Sequence, residues 1–186
     1  MQAGARILLL TGIWGYSALE AGMAMTPAPL VAALVAVPAG RLGGAVGQRP
    51  IATAGALLFA SGFAYSLATV GPRPEYLAAF LPGSVLAGAG FGLTLGTLPA
   101  VATSALPESR FATGTAVFAM ARQLGSAIGV AVLVALIDSS PVADPLSGLR
   151  RGWWFALATG IGTAAVTFAL PARRTAARQA VEGAGL

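Results

Sequence analysis

Five long apolar runs, separated by short polar turns, constrain this chain more than any other feature of it. A helix needs about 20 apolar residues to cross a bilayer. Hydrocarbon offers the backbone no water to bond, so a spanning segment must satisfy its own N–H and C=O groups, as a helix does. The runs fall at about 23–42, 50–70, 76–103, 113–137 and 153–170. They imply an all-α integral membrane helical bundle with five full transmembrane helices. A shorter apolar stretch after Arg6 ends near Trp14. It is too short to span and lacks a signal peptide's cleavage site. It reads as an N-terminal partial helix whose beginning is missing. The bundle is expected over residues 1–171, and a flexible tail over 172–186.

Hydrophobic residues make up 56% of the chain and charged residues 9%, where a soluble domain carries about a quarter charged. Clustered arginines would make a pI of 11.1 a sign of nucleic-acid binding. The eleven basic residues are all Arg and lie scattered between the apolar runs, so they orient a membrane protein and no nucleic-acid partner is expected. The chain has no Cys and no His. Disulfides, thiolate or imidazole metal sites, and Cys–His or Ser–His catalysis are thereby excluded. No enzyme, metal site or cofactor is expected. Arg without Lys, with many Ala and Gly, points to a GC-rich bacterial genome and hence to a bacterial inner membrane.

The fourth run, ATGTAVFAMARQLGSAIGVAVLVA, starts at Ala112 and carries Arg122 and Gln123. Arg122 sits about 15 Å in, at a rise of about 1.5 Å per residue. A guanidinium at that depth is costly and requires an explanation. Arg122 shares a helical face with Thr115, Ala119, Ser126 and Gly129, all small or polar, while Val117, Met120, Leu124 and Ile128 form the other face. The small-polar face is expected to look toward protein or water and the bulky face toward lipid. Two readings stay open: a packing helix whose Arg finds a backbone carbonyl or helix end, and a wall of a transport pathway.

Small residues recur every fourth position in the first three runs. They are Ala28, Ala32, Ala36 and Gly40 in the first, and Ala52, Ala56, Ala60, Ala64 and Ala68 in the second. The third is the strongest, with Ser84, Gly88, Gly92, Gly96, Ala100 and Ser104. Such ridges let backbones approach closely in lipid, which explains the glycines better than a ligand does. Pro38 and Pro99 make kinks or hinges, and Thr94 and Thr97 offer hydroxyls as pathway candidates. The segment GAGFG has no preceding strand and no following Lys, so it is not a phosphate loop.

If the runs alternate in direction, Arg41, Arg49, Arg110, Arg173, Arg174 and Arg178 share one side, and Arg73, Arg150 and Arg151 the other. The positive-inside bias then puts the C-terminus in the cytoplasm and the loop around Asp144 outside. Trp14, Tyr16, Tyr76, Trp153 and Trp154 all fall at the outer interface.

The segments GYSALEAG, TPAPL, PAGRL with GQR, GAGFGLTLGTLP and ATGTAVFAMARQLGSAIGVAV, in that order, resemble the major facilitator superfamily. Within it they are most similar to the C-terminal part of the fourteen-helix bacterial drug:proton antiporters. The resemblance implies the end of a ninth helix at residues 1–14 followed by helices ten to fourteen. It implies that the first, third and fourth full spans border a central cavity while the second and fifth face lipid. Arg122, Gln123, Gly125 and Gly129 sit on the family's RQLGxxxG motif. Gly40, Arg41, Gly47 and Arg49 sit on a cytoplasmic loop motif of the form GRLxDRxGxR. Gly44 and Ala45 replace its Asp and second Arg, so a positively charged, orienting turn is preferred to a gating role.

The implied activity is proton-driven efflux of amphipathic compounds. Its partners would be the bilayer, a small amphipathic substrate, protons, and a missing N-terminal half or another helix bundle. Glu20, Glu75, Glu108, Asp144 and Glu182 lie in loops or tail and Asp138 at a helix end. A proton-coupling carboxylate sits inside the bundle, so it is expected in the other half. The alternative is a self-contained small membrane protein acting as a structural or partner-binding subunit.

Overall fold

The computed structural model describes residues 7–103, 106–138 and 145–169, which hold helices and short turns and no strand. Helix α1 (Ala18–Met25) and helix α2 (Pro27–Val46) meet at Thr26 and make one kinked crossing. Helices α3 (Gln48–Thr69), α4 (Leu81–Thr103), α5 (Phe111–Asp138) and α6 (Pro145–Ala169) follow. π-Helical turns cover Leu8–Ile13 and Tyr76–Phe80. Five crossings are long and apolar enough to span a membrane, so the chain is an all-α membrane helical bundle.

Local chemistry sets the boundaries. The Ser17 hydroxyl accepts from the Glu20 N–H at 3.3 Å, and the Glu20 carboxylate accepts from the Ser17 N–H at 2.9 Å. This capping box satisfies orphan donors at the start of α1 and makes GYSALEAG a helix entry. Pro27 opens α2 at the position where a missing N–H costs least. The polar stretch 40–50, expected as a turn, is helical except at Gly47. Gly47 has φ of 105°, a conformation that only glycine adopts cheaply. One residue therefore reverses the chain between α2 and α3. The Asp144 loop and the 172–186 tail lie outside the described residues.

Helix α4 is the centre of the bundle. A methyl group added at Gly88, Gly92 or Gly96 would collide with the carbonyl oxygens of Ala28, Ala32 and Ala36 of α2. The two small-residue ridges read from the sequence thus face each other, running parallel. On another side of α4, a methyl on Gly55 of α3 would come within 2.9 Å of the Gly90 oxygen, and one on Gly62 within 2.7 Å of the Gly83 oxygen. Here the helices run antiparallel. Without bulky side chains between them, the backbones close to direct contact, which is the van der Waals packing that holds helices together in lipid. The alanine ridge of α3 turns elsewhere. Ala52, Ala56 and Ala60 are buried, and a methyl on Gly160 of α6 would lie 3.1 Å from the Ala60 Cβ. Ala64 and Ala68 are exposed.

One end of the bundle is closed by aromatic residues. The Trp14 indole N–H donates to the Gly71 carbonyl at 3.2 Å, and the Tyr76 hydroxyl to the Ala24 carbonyl at 3.0 Å. Trp14 packs edge-on against Phe80 with centroids 6.0 Å apart. Trp153 belongs to the same buried cluster, whereas its neighbour Trp154 is exposed. Four of the five aromatics expected at the outer interface are thus partly or fully buried, bracing the helix ends.

Candidate functional site

Helix α5 differs from the rest in how little of it is covered. Among its described residues only Gly129 and Leu133 are buried. Leu133 rests where a side chain on Gly152 of α6 would have to go. Val117, Met120, Leu124 and Ile128 are 59–65% exposed. Thr115, Arg122, Gln123 and Ser126 on the other side are exposed as well. The bundle therefore covers neither the bulky face nor the small-polar face along most of the helix. A methyl on Gly125 would meet nothing within 4 Å. Yet α5 has the highest mean hydropathy of the five crossings, 1.7, so its bulky uncovered face suits lipid or other helices rather than water.

The remaining pathway candidates sit in different surroundings. Thr97 is fully buried and donates to the Leu93 carbonyl at 2.9 Å. Thr94 is half-buried against Gly55 and donates to the Gly90 carbonyl at 2.9 Å. Thr115 donates to the Phe111 carbonyl at 2.9 Å. Each hydroxyl is satisfied by its own helix four residues back. Thr97 lies in the α4 core and shares no surface with Arg122, Gln123 and Ser126. Pro38 and Pro99 are inside α2 and α4, both exposed.

The loop-motif residues divide in the same way. Arg41 is exposed, whereas Arg49 is half-buried and has a defined partner. Its Nε donates to the Thr167 carbonyl at 3.1 Å, and its guanidinium lies 5.1 Å from the Phe168 ring centroid. Thr167 is in the last described turn of α6, and Pro171, four residues on, has no N–H to bond its carbonyl. The hydroxyls of Thr53 and Thr167 also pair at 3.1 Å. Arg49 thus clamps the start of α3 to the end of α6. No sequence signal marks this contact, since the partners are 118 residues apart. The Ser17–Glu20 capping box could have been read from its S-x-x-E spacing.

A kinked first crossing, a glycine-packed third and a largely uncovered fourth with a mid-depth guanidinium define a multi-pass membrane bundle. Residues 3–185 match the Major Facilitator Superfamily, so the chain belongs to that family. A probable actinorhodin transporter of Streptomyces coelicolor is 28% identical over 155 residues, which is 80% of this chain and 27% of that protein. The chain therefore spans about a quarter of the length of this relative. No solved structure matches it. That relative is named as a transporter.

Proposed function

We propose that this chain forms one helical half of a proton-driven efflux transporter, in which α2, α4 and α5 border a central cavity opposite a second half-bundle. The observation that carries this reading is the uncovered α5 with Arg122 near its middle. Leaving an Arg in hydrocarbon costs about 3 kcal/mol on insertion scales. The guanidinium therefore requires water or a polar partner beyond the bundle. An aqueous cavity between two halves supplies both, and transporter sites lie near the midplane between such repeats. Small amphipathic compounds are the proposed cargo, and the one relative described above is named as a probable actinorhodin transporter. The coupling carboxylate would lie in the second half, since the acids here occupy helix ends, turns or tail. The C-terminus would be cytoplasmic and the membrane a bacterial inner membrane. The described arginines, Arg41, Arg49 and Arg110 against Arg73, Arg150 and Arg151, balance. The inside excess thus rests on Arg173, Arg174 and Arg178.

The test is Arg122→Ala in a protein carrying both half-bundles. Insertion and expression should be unchanged, because removing a charge from mid-membrane depth eases insertion. Efflux of an amphipathic dye from proton-loaded vesicles should fall about tenfold or more, the cost of one charged contact. Arg122→Lys should recover only part, since an ammonium lacks the planar fork. Normal efflux by Arg122→Ala overturns the pathway reading and leaves Arg122 as a packing residue.

A further inference from the structure

The turn after α4 and the first three turns of α5 enclose a groove of about 370 Å³, lined by Arg110, Thr113, Gly114, Val117, Phe118 and Ala121. These positions recur at intervals of three and four, so they run down one helical face. From Arg110 to Ala121 the face descends about 16 Å, at about 1.5 Å per residue. Arg110 ends the 3₁₀ turn Glu108–Arg110, where its N–H donates to the Pro107 carbonyl at 2.8 Å. It is exposed and immediately precedes the crossing Phe111–Leu136. It therefore stands at the boundary between water and hydrocarbon, and the groove leads from it into the apolar layer.

The groove has a permanent cation at its wet end and mostly apolar walls below. The N-terminal end of the α5 dipole adds positive potential at the same end. Such a site fits a molecule with an anionic head and an aliphatic tail, aligned with the membrane normal. At this boundary the bilayer presents such molecules at high local concentration. We propose that the groove holds one anionic phospholipid, its phosphate on Arg110 and one acyl chain along Val117, Phe118 and Ala121. A planar guanidinium can bridge two phosphate oxygens. The inference rests on α5 crossing the membrane and not on transport, so it is tested without an efflux assay.

The test uses the 186-residue chain in neutral detergent, titrated with phosphatidylglycerol or phosphatidylcholine and read by native mass spectrometry. Phosphatidylglycerol should be retained about fivefold better, the effect of one basic side chain near an anionic surface. That preference should fall as salt rises. Arg110→Gln should abolish it and Arg110→Lys should keep part of it. Ala121→Trp, filling the apolar end, should weaken retention of both lipids. Arg110 is exposed, and unchanged circular dichroism should show that Arg110→Gln folds. Equal retention of the two lipids, or an undiminished preference in Arg110→Gln, overturns the proposal. So does competition by glycerol 3-phosphate as effective as the lipid, which would mark a soluble phosphate site.

Discussion

Helices α4 and α5 are both long, apolar and rich in small residues, and the fold treats them in opposite ways. Helix α4 is gripped on two sides, its Gly88, Gly92 and Gly96 against α2 and its Gly83 and Gly90 against α3. Helix α5 presents Arg122, Gln123 and Ser126 on one side and Leu124 and Ile128 on the other, and the bundle covers neither. The difference lies in the partners. The glycines of α4 meet an equally small ridge, Ala28, Ala32 and Ala36, in register. Gly125 of α5 meets no ridge at all. A small residue produces close packing only where a complementary surface can reach it. A polar side chain at mid-depth works against burial beside an apolar neighbour, because its desolvation would go uncompensated.

The comparison is broken most directly at the glycines. Gly92→Leu should destabilise the 186-residue chain by about 1–3 kcal/mol through overpacking, because the Ala32 backbone blocks the space. Gly125→Leu should change stability by less than about 0.5 kcal/mol, as surface substitutions do. Thermal unfolding in micelles reads both. Comparable losses from the two variants would mean that α5 is packed as tightly as α4.

A smaller effect is expected at the clamp on the far side of α3. Arg49→Ala should cost about 1–2 kcal/mol, through loss of a charged donor to the Thr167 carbonyl and of the stacking on Phe168. Arg49→Lys should restore part of it. If Arg49→Ala unfolds like the parent, this arginine serves only to orient the chain.

The smallest change is expected at the entry of α1. Ser17→Ala should remove about 1 kcal/mol of capping. It should appear as faster amide exchange over the first turn of α1 while α4 exchange stays unchanged. Equal acceleration in both helices would show that the cap is coupled to the core, and the contrast between a frayed edge and a fixed centre would fail.

Much of the architecture was legible because its causes are local. Apolar runs of membrane length marked the crossings, and spacing-four small residues marked two of the faces that pack against each other. The π-helical turn Tyr76–Phe80 and the one-residue reversal at Gly47 were not legible. The GRLGGAVGQR stretch reads as a polar turn by composition, yet nothing in it breaks a helix before Gly47 adopts its positive φ. The candidate site was legible as residues but not as a surface. Thr94 and Thr97 share their residue type with Thr115, yet they point into the α4 packing. Hydroxyls satisfied by their own helix can face either way at no extra cost.

The sequence by itself determined that five helices cross a membrane, that they are glycine- and alanine-packed, and that one holds an arginine at mid-depth. Those properties depend on hydropathy and helical period, which any window of the chain displays. Only the tertiary structure decided which ridge meets which. Gly88, Gly92 and Gly96 pair with α2, while Ala60 of the α3 ridge meets Gly160 of α6. It also decided that Arg49 reaches Thr167 and that α5 stays largely uncovered. In lipid, apolar side chains gain little by choosing a protein neighbour over an acyl chain. Hydropathy therefore carries no record of partner choice, and shape fit between residues distant in sequence settles it.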